Sequence, residues 1–247
     1  MSNLLIKNIP FVHSIYSYSE VGSTMDMAEE IIKEKDLKNN FLVVAETQTK
    51  GRGRKGNVWT SNYGGLWFTL ALYNYSLAPS LMLYTGLMML RTLKSLFLLD
   101  DLSIKWPNDI LIGTSKCCGI IANYNALLKY HSIGIGLNTN NKISEINNNY
   151  KAISLSEMIG MTVSSQLILE QFLERFFGNI DMYQKDNLEP FLNEFNANHI
   201  LDNKYVEVIN NNNKYMGKCR GINSDGGLLI ENNKLLTLYS GTITLFS

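Results

Sequence analysis

The stretch from Leu81 to Leu98 sets the first limit on the fold. It contains no proline, its only charges are Arg91 and Lys94, and it reads as one long, largely buried helix. A helix that is apolar around most of its girth has to be covered by other layers. It is not a membrane span: its most apolar part, Leu81 to Leu90, falls far short of about 18 residues and contains Gly86. The covering layers are visible on both sides. Phe11 to Tyr18, Phe41 to Ala45, Leu66 to Leu72, Lys116 to Tyr124 and His131 to Leu137 read as strands. Ile104 and Ile110 to Ile112 flank a tight corner. A helix opens at Gly22-Ser23-Thr24, capped by Ser23 or Thr24, with Met27, Ala28, Ile31 and Ile32 at helical spacing. Further helices are expected over Leu155 to Ile159, Ser164 to Tyr183 and Leu188 to Asn196. In the longest, Ser164 is the expected cap and Leu167, Phe172, Leu173, Phe176 and Phe177 the buried face. Asn138 to Asn149 reads as an asparagine-rich loop.

From about Leu201 the texture changes. Five short strands, separated by Asn210 to Asn213, Asp225-Gly226-Gly227 and Asn232-Asn233, suggest a small barrel of SH3-like size. The expected division is an α/β domain over 1–199 and a β module over 200–247.

Hydrophobic content of 45% and charged content of 18% suit a soluble globular chain. The formal net charge is zero, so the molecule as a whole has no electrostatic reason to coat nucleic acid or a membrane. The N-terminus shows no secretory signal. Cys117, Cys118 and Cys219 form an odd set, which points to free thiols in a reducing cytoplasm. The three histidines do not group with cysteines or carboxylates at metal-ligand spacing.

Against this neutral background, Thr47 to Trp59 stands out. Lys50 to Gly56 holds three glycines, two arginines and two lysines. Glycine admits positive φ and close approach of a ligand, and arginine fits carboxylate and phosphate. The stretch is either an anion clamp or a solvated basic turn. Ser23-Thr24 is either a helix cap or a holder of a polar ligand group beside free N–H groups. Lys105-Trp-Pro-Asn-Asp109 is either a strand corner with a buried Trp106 or a binder of phosphate, metal or a purine edge. Lys116 with Gly119, and Gly134-Ile-Gly-Leu-Asn138, add a cation and points of close approach. Neither dinucleotide nor P-loop fingerprints are present.

Taken together, Gly51-Arg-Gly-Arg-Lys-Gly56 with Trp59, Lys105 to Asp109, Lys116-x-x-Gly-Ile120 and Gly134 to Asn138 resemble the ordered signature motifs of biotin protein ligases, from about residue 18 to 140. Ser23-Thr24 and Gln48 also match. The β module resembles that family's C-terminal SH3-like domain. The resemblance implies a mixed sheet flanked by helices, like the class II aminoacyl-tRNA synthetase catalytic domain. It also implies a two-step ligase that makes biotinyl-5′-AMP from biotin and ATP, with Mg²⁺ arriving on ATP. Biotin then passes to a lysine of a biotin carboxyl carrier domain, such as that of acetyl-CoA carboxylase. On the family pattern, Ser23, Thr24, Gln48, Arg52 and Gly53 surround biotin, and Arg54 and Lys116 face carboxylate and phosphate as the catalytic cations. Trp59, Lys105, Asn108 and Asn138 lie on the nucleotide side, and Asp109 is a weak candidate metal contact. The loop would act as a lid.

Met25 stands where the family often has asparagine, Asn57 and Val58 where it is often basic, and Cys117-Cys118 is an unusual pair between Lys116 and Gly119. Some members carry an N-terminal helix-turn-helix; with only about 15 residues before the first strand, a cytoplasmic monomer or homodimer without nucleic-acid or membrane binding is expected. A lipoate–protein ligase and a non-catalytic RNA- or partner-binding module are the alternatives.

Overall fold

Strand β7 (Tyr130–Leu137) is buried almost throughout because it is the middle strand of a seven-stranded sheet with helices on both faces. The computed structural model describes residues 11–35, 37–143 and 151–247; the part of the expected asparagine-rich loop from 144 to 149 lies outside them. The sheet contains β1 (Ser14–Val21), β2 (Phe41–Gln48), β3 (Leu66–Tyr73), β4 (Leu102–Lys105), β5 (Asp109–Ile112), β6 (Ser115–Asn125) and β7. Its order is β1-β2-β3-β7-β6-β5-β4. Only β1 and β2 pair in parallel, so the sheet is mixed.

Alternation along β2 shows how the layers are built. Phe41 and Val43 face helix α1 (Thr24–Glu34), packing with Ala28, Ile31, Ile32 and Tyr130. Leu42 and Val44 face the opposite core, which holds α2 (Leu81–Phe97) and α4 (Ser165–Asp186). A period of two sends neighbouring side chains to opposite faces. Tyr84 of α2 stacks on Tyr183 of α4 at 4.4 Å and donates to the Phe176 carbonyl. Short helices α3 (Leu155–Ile159) and α5 (Leu192–Ala197) complete the set. Among the described residues no helix is long and apolar enough to cross a membrane.

Three expectations are corrected. The first strand begins at Ser14, not Phe11; Phe11 has φ 74° and stacks on Phe177. Leu167 is 45% exposed, and the buried stripe of α4 instead starts at Ile168 and Leu169, on the turn that faces the sheet. Leu188 to Asn196 is not one helix. Pro190 lacks an N–H and sits in a 3-10 turn, Glu189–Phe191, before α5 begins.

The last part forms a five-stranded antiparallel sheet of β8 (Tyr205–Asn210), β9 (Asn213–Ile222), β10 (Leu228–Asn232), β11 (Lys234–Leu238) and β12 (Thr242–Phe246). Its order is β11-β10-β9-β8-β12. Asn211, Asn212 and Asn233 take positive φ in its tight turns, a conformation asparagine tolerates better than most side chains. Val206, Val208, Leu228 and Ile230 share one core with Trp106, whose indole donates to the Gly226 carbonyl at 3.0 Å. The buried corner tryptophan therefore joins the two sheets.

Candidate active site

Helix α1 begins where β1 ends, and its first turn faces the end of β2. Ser23 caps the helix by accepting from the Met25 N–H. That cap frees Thr24 for another role. Its backbone N–H donates to Gln48 Oε1 at 2.8 Å, and its hydroxyl reaches the same oxygen at 3.2 Å. Thr69 of β3 donates to Thr24 Oγ1 at 2.9 Å. On the other side, Gln48 Nε2 donates to Ser61 Oγ at 2.7 Å, and Ser61 donates to the Trp59 carbonyl at 3.2 Å. Thr24, Thr69 and Ser61 are all buried. A chain of buried polar groups thus runs from the helix start to Trp59, with each member fixing the next.

The glycine-arginine stretch folds as a hairpin. Gln48 bridges Ser61, the Trp59 N–H donates to the Gly51 carbonyl, Arg52 bridges Val58, and the Gly53 N–H donates to the Asn57 carbonyl. Lys55 and Gly56 turn the tip with positive φ. Gly51 is required by close approach: a Cβ there would lie 2.3 Å from the Trp59 carbonyl oxygen and 2.8 Å from Ser61 Oγ. Asn57 and Val58 are exposed near the tip.

Folding the hairpin back lays Trp59 on the sheet. Gly119 of β6 and Gly136 of β7 are register partners and form a trough. A Cβ on Gly136 would meet the Trp59 Nε1 at 2.4 Å, and one on Gly119 would meet the indole at 2.7 Å. Lys116 Nζ sits 4.9 Å from the Trp59 ring. Met25 fills the neighbouring space over Gly134, where a Cβ would meet its sulfur at 2.8 Å. Met25, 2% exposed, is therefore a buried apolar wall.

The charges are unbalanced. Lys116 Nζ lies 2.6 Å from Asp109 Oδ1. Arg54 donates at 3.3 Å to the neutral Asn108 Oδ1, and among the described residues it has no ion pair. Loss of hydration lowers the Arg54 pKa, opposed by Asp109. Lys105 is also lowered by burial, again opposed by Asp109. Three cations thus share one carboxylate, which leaves net positive charge at this place. Asn108 is held by the Ile120 carbonyl at 3.0 Å, and Asn138, buried at the end of β7, accepts from Asn141.

Of the expected residues, the structure draws Ser23, Thr24 and Gln48 into one group, and Arg54, Asn108, Asp109, Lys116 and Trp59 into another. Arg52 is set apart. Its guanidinium reaches back to Asp26 at 2.6 Å and Glu29 at 3.6 Å on α1, at the surface. Asp109 is committed to Lys116, and among the described residues no group of three His, Cys, Asp or Glu side chains makes a metal cage. A dedicated magnesium site does not fit these residues. Cys117 and Cys118 are buried, and burial pushes Cys117 up to about 12, so neither is a ready nucleophile. Thr69 and Ser61 were missed by sequence reasoning; a threonine inside the apolar run of β3 was the signal available for the first. An open groove of about 610 Å³ follows the hairpin from Thr49 to Val58, with Met82 and Ile121 to Asn123 opposite. Arg54 lines it, whereas Thr24, Gln48 and Lys116 do not.

Residues 18–140 match the family model described as the Biotin/lipoate A/B protein ligase family. The chain is 31% identical over 245 residues to the Bifunctional ligase/repressor BirA of Bacillus subtilis, covering 94% of this chain and 74% of that protein. The corresponding Escherichia coli protein is 25% identical over 214 residues, with 83% and 66% covered. A biotin protein ligase from Aquifex aeolicus, solved in complex with biotin and ATP, superposes with a TM-score of 0.82 at 26% identity, covering 94% of this chain and 98% of that one.

Proposed function

Because the chain belongs to the biotin protein ligase family, we propose that the group around Thr24 and Gln48 binds biotin and that Arg54 and Lys116 carry the adenylation chemistry. The enzyme is an ATP-dependent biotin protein ligase. A carboxylate oxygen of biotin attacks the α-phosphorus of ATP, the bond from that phosphorus to the bridging oxygen breaks, and pyrophosphate leaves with the electron pair. The product is biotinyl-5′-AMP. The ε-amine of a carrier lysine then attacks the mixed anhydride, loses a proton, and releases AMP.

The observation that carries the assignment of residues is the uncompensated positive charge beside a prebuilt polar chain. Two anions have to be brought together in the first step, so fixed cations reduce their repulsion and meet the charge that develops at phosphorus. Arg54 and Lys116 supply that charge on hairpin and strand, which cost little reorganisation. The Thr24–Gln48–Thr69–Ser61 chain offers donors and acceptors to the ureido ring of biotin, with Met25 as an apolar wall. Asn108 and Asn138 lie on the nucleotide side. Trp59 offers a flat face to adenine, either where it lies or after leaving the glycine trough. Arg52 joins the site only by exchanging Asp26 for the ligand. Magnesium enters as part of the substrate, on the phosphates of ATP, and no step here depends on a protein-held ion.

The acceptor is a biotin carboxyl carrier domain, with that of an acetyl-CoA carboxylase as the specific candidate. Residues 1–199 act as the catalytic domain and 200–247 as the module docked on it. The test is direct. The protein is incubated with ATP, a carrier domain and either biotin or lipoate, and the carrier is mass-measured. One added biotin on one lysine supports the reading; lipoate transfer, or no transfer of either acid, contradicts it.

A further inference from the structure

The row of side chains beside Thr24 changes polarity from one strand to the next. Val43, Thr69, Gly134 and Ile121 are successive register partners on β2, β3, β7 and β6, so they share the face of the sheet that α1 covers. At β3 this face is polar: Thr69 donates to Thr24 Oγ1, and Thr24 holds Gln48. At β7 and β6 it is apolar. Gly134 has no side chain, and the thioether of Met25 fills the space above it. A Cβ on Gly134 would meet Met25 Cγ and Sδ at 2.8 Å and Ile121 Cγ1 at 3.1 Å. The backbone of Met25 is fixed, because its N–H donates to the Ser23 hydroxyl, and its side chain is buried.

Biotin has a matching asymmetry. One edge of its fused rings is the ureido group, with two N–H donors and a carbonyl. The other edge is a cyclic thioether, which asks for almost no hydrogen bonding. With the ureido edge on the Thr24–Gln48 group, one strand spacing of about 4.8 Å brings the thioether edge to Met25, Gly134 and Ile121. Methionine is flexible and polarisable, so this wall adapts to changes in shape. It offers nothing to a polar group, which would be buried there without a partner.

We propose that Met25 is a specificity-determining residue for the acid substrate: it accepts the ring thioether and refuses the ring sulfoxide, by polarity rather than by shape. The inference rests on the biotin site proposed above and adds a selectivity to it.

The test is calorimetry on the whole chain with biotin, biotin sulfoxide and desthiobiotin, which lacks the sulfur and has an opened, wholly apolar edge. The expected order of affinity is biotin, then desthiobiotin, then the sulfoxide, although of the two analogues only the sulfoxide keeps the bicyclic shape. An unpaired buried oxygen predicts that the sulfoxide binds roughly thirtyfold more weakly than biotin. Met25→Gln has similar length but carries an amide, and it should narrow that ratio about fivefold or more. Met25→Leu keeps an apolar wall and should keep the order. Sulfoxide binding by the wild type as tight as that of desthiobiotin, or tighter, overturns the proposal without recourse to any variant. An unchanged ratio in folded Met25→Gln overturns it too. Both results leave the ligase reading standing, because biotin itself is still bound; a wild type that binds none of the three acids overturns both.

Discussion

The side-chain amide of Gln48 donates to the Ser61 hydroxyl at 2.7 Å, and through that hydroxyl it is tied to the Trp59 carbonyl. The contact links the two halves of the site. Gln48 belongs to the polar group at the start of α1, whereas Trp59 covers the glycine trough beside Lys116. Whatever displaces the amide of Gln48 also disturbs the anchor of the hairpin.

Ser61→Ala should therefore affect both substrates. It leaves Gln48 Nε2 without its acceptor and Trp59 without its tether. An unsatisfied buried polar group costs about 1–3 kcal/mol. Biotin affinity is expected to fall roughly tenfold and the ATP KM to rise, as read by calorimetry and steady-state kinetics. Thr69→Val, at the other end of the chain, should weaken biotin binding and leave the ATP KM alone. Equal effects of both changes on ATP would mean that the chain does not distinguish its two ends.

Gly136→Ala tests the trough. The new Cβ would lie 2.4 Å from the indole Nε1 of Trp59, which has to move. Adenylation should drop by at least tenfold, with a shift in tryptophan emission from the free protein. Gly113→Ala is not a suitable control, because φ at that glycine is positive; Gly178→Ala, where nothing lies within 4 Å, is. Wild-type activity in Gly136→Ala would show that Trp59 has room to spare.

Arg54→Gly removes the half-buried cation that has only a neutral side-chain partner. If Arg54 holds the adenylate phosphate, the variant still forms biotinyl-5′-AMP but releases it early. Bystander proteins mixed into the reaction should then acquire biotin on surface lysines. Labelling that remains confined to the carrier would remove Arg54 from this role.

The pH dependence of stability should report on His199. It is 5% exposed, its Nε2 accepts from the Trp106 N–H, and burial lowers its pKa from 6.5 to about 3. Between these values the unfolded chain binds the proton and the folded chain does not, so stability rises with pH across the window. On acidification it falls by up to about 1.4 kcal/mol per pH unit below 6.5. His199→Gln keeps an acceptor but does not titrate. Urea midpoints at pH 7, 5.5 and 4.5 should show a flatter slope for the variant; an identical slope would place the acid sensitivity elsewhere.

Much of the architecture was legible because it is written locally. The alternation of β2, the apolar length of α2 and the asparagine turns of the β module each depend on residues close in sequence. The glycine-arginine stretch on its own left a clamp and a solvated basic turn both open, and only its order with Lys105 to Asp109, Lys116 and Asn138 narrowed the reading. What was hidden depends on long-range partners. Thr69 and Ser61 gain meaning only when β3 and the hairpin bring them to Thr24 and Gln48. Arg52 reads like Arg54 in sequence, yet Asp26 on α1 captures it, because the hairpin directs its side chain outward. Leu167 alone was misplaced: Phe172, Leu173, Phe176 and Phe177 are buried as expected, and in the first turn it is Ile168 and Leu169 that continue their stripe. Phe246, near the end of the chain, offered no sign that it meets Lys105.

If this site activates biotin by adenylation, isotope exchange between ATP and pyrophosphate measures that step without needing a carrier. Exchange should be absent with ATP alone, appear on adding biotin, not appear with lipoate, and be lost in Lys116→Ala. Exchange that proceeds equally well without biotin would contradict it.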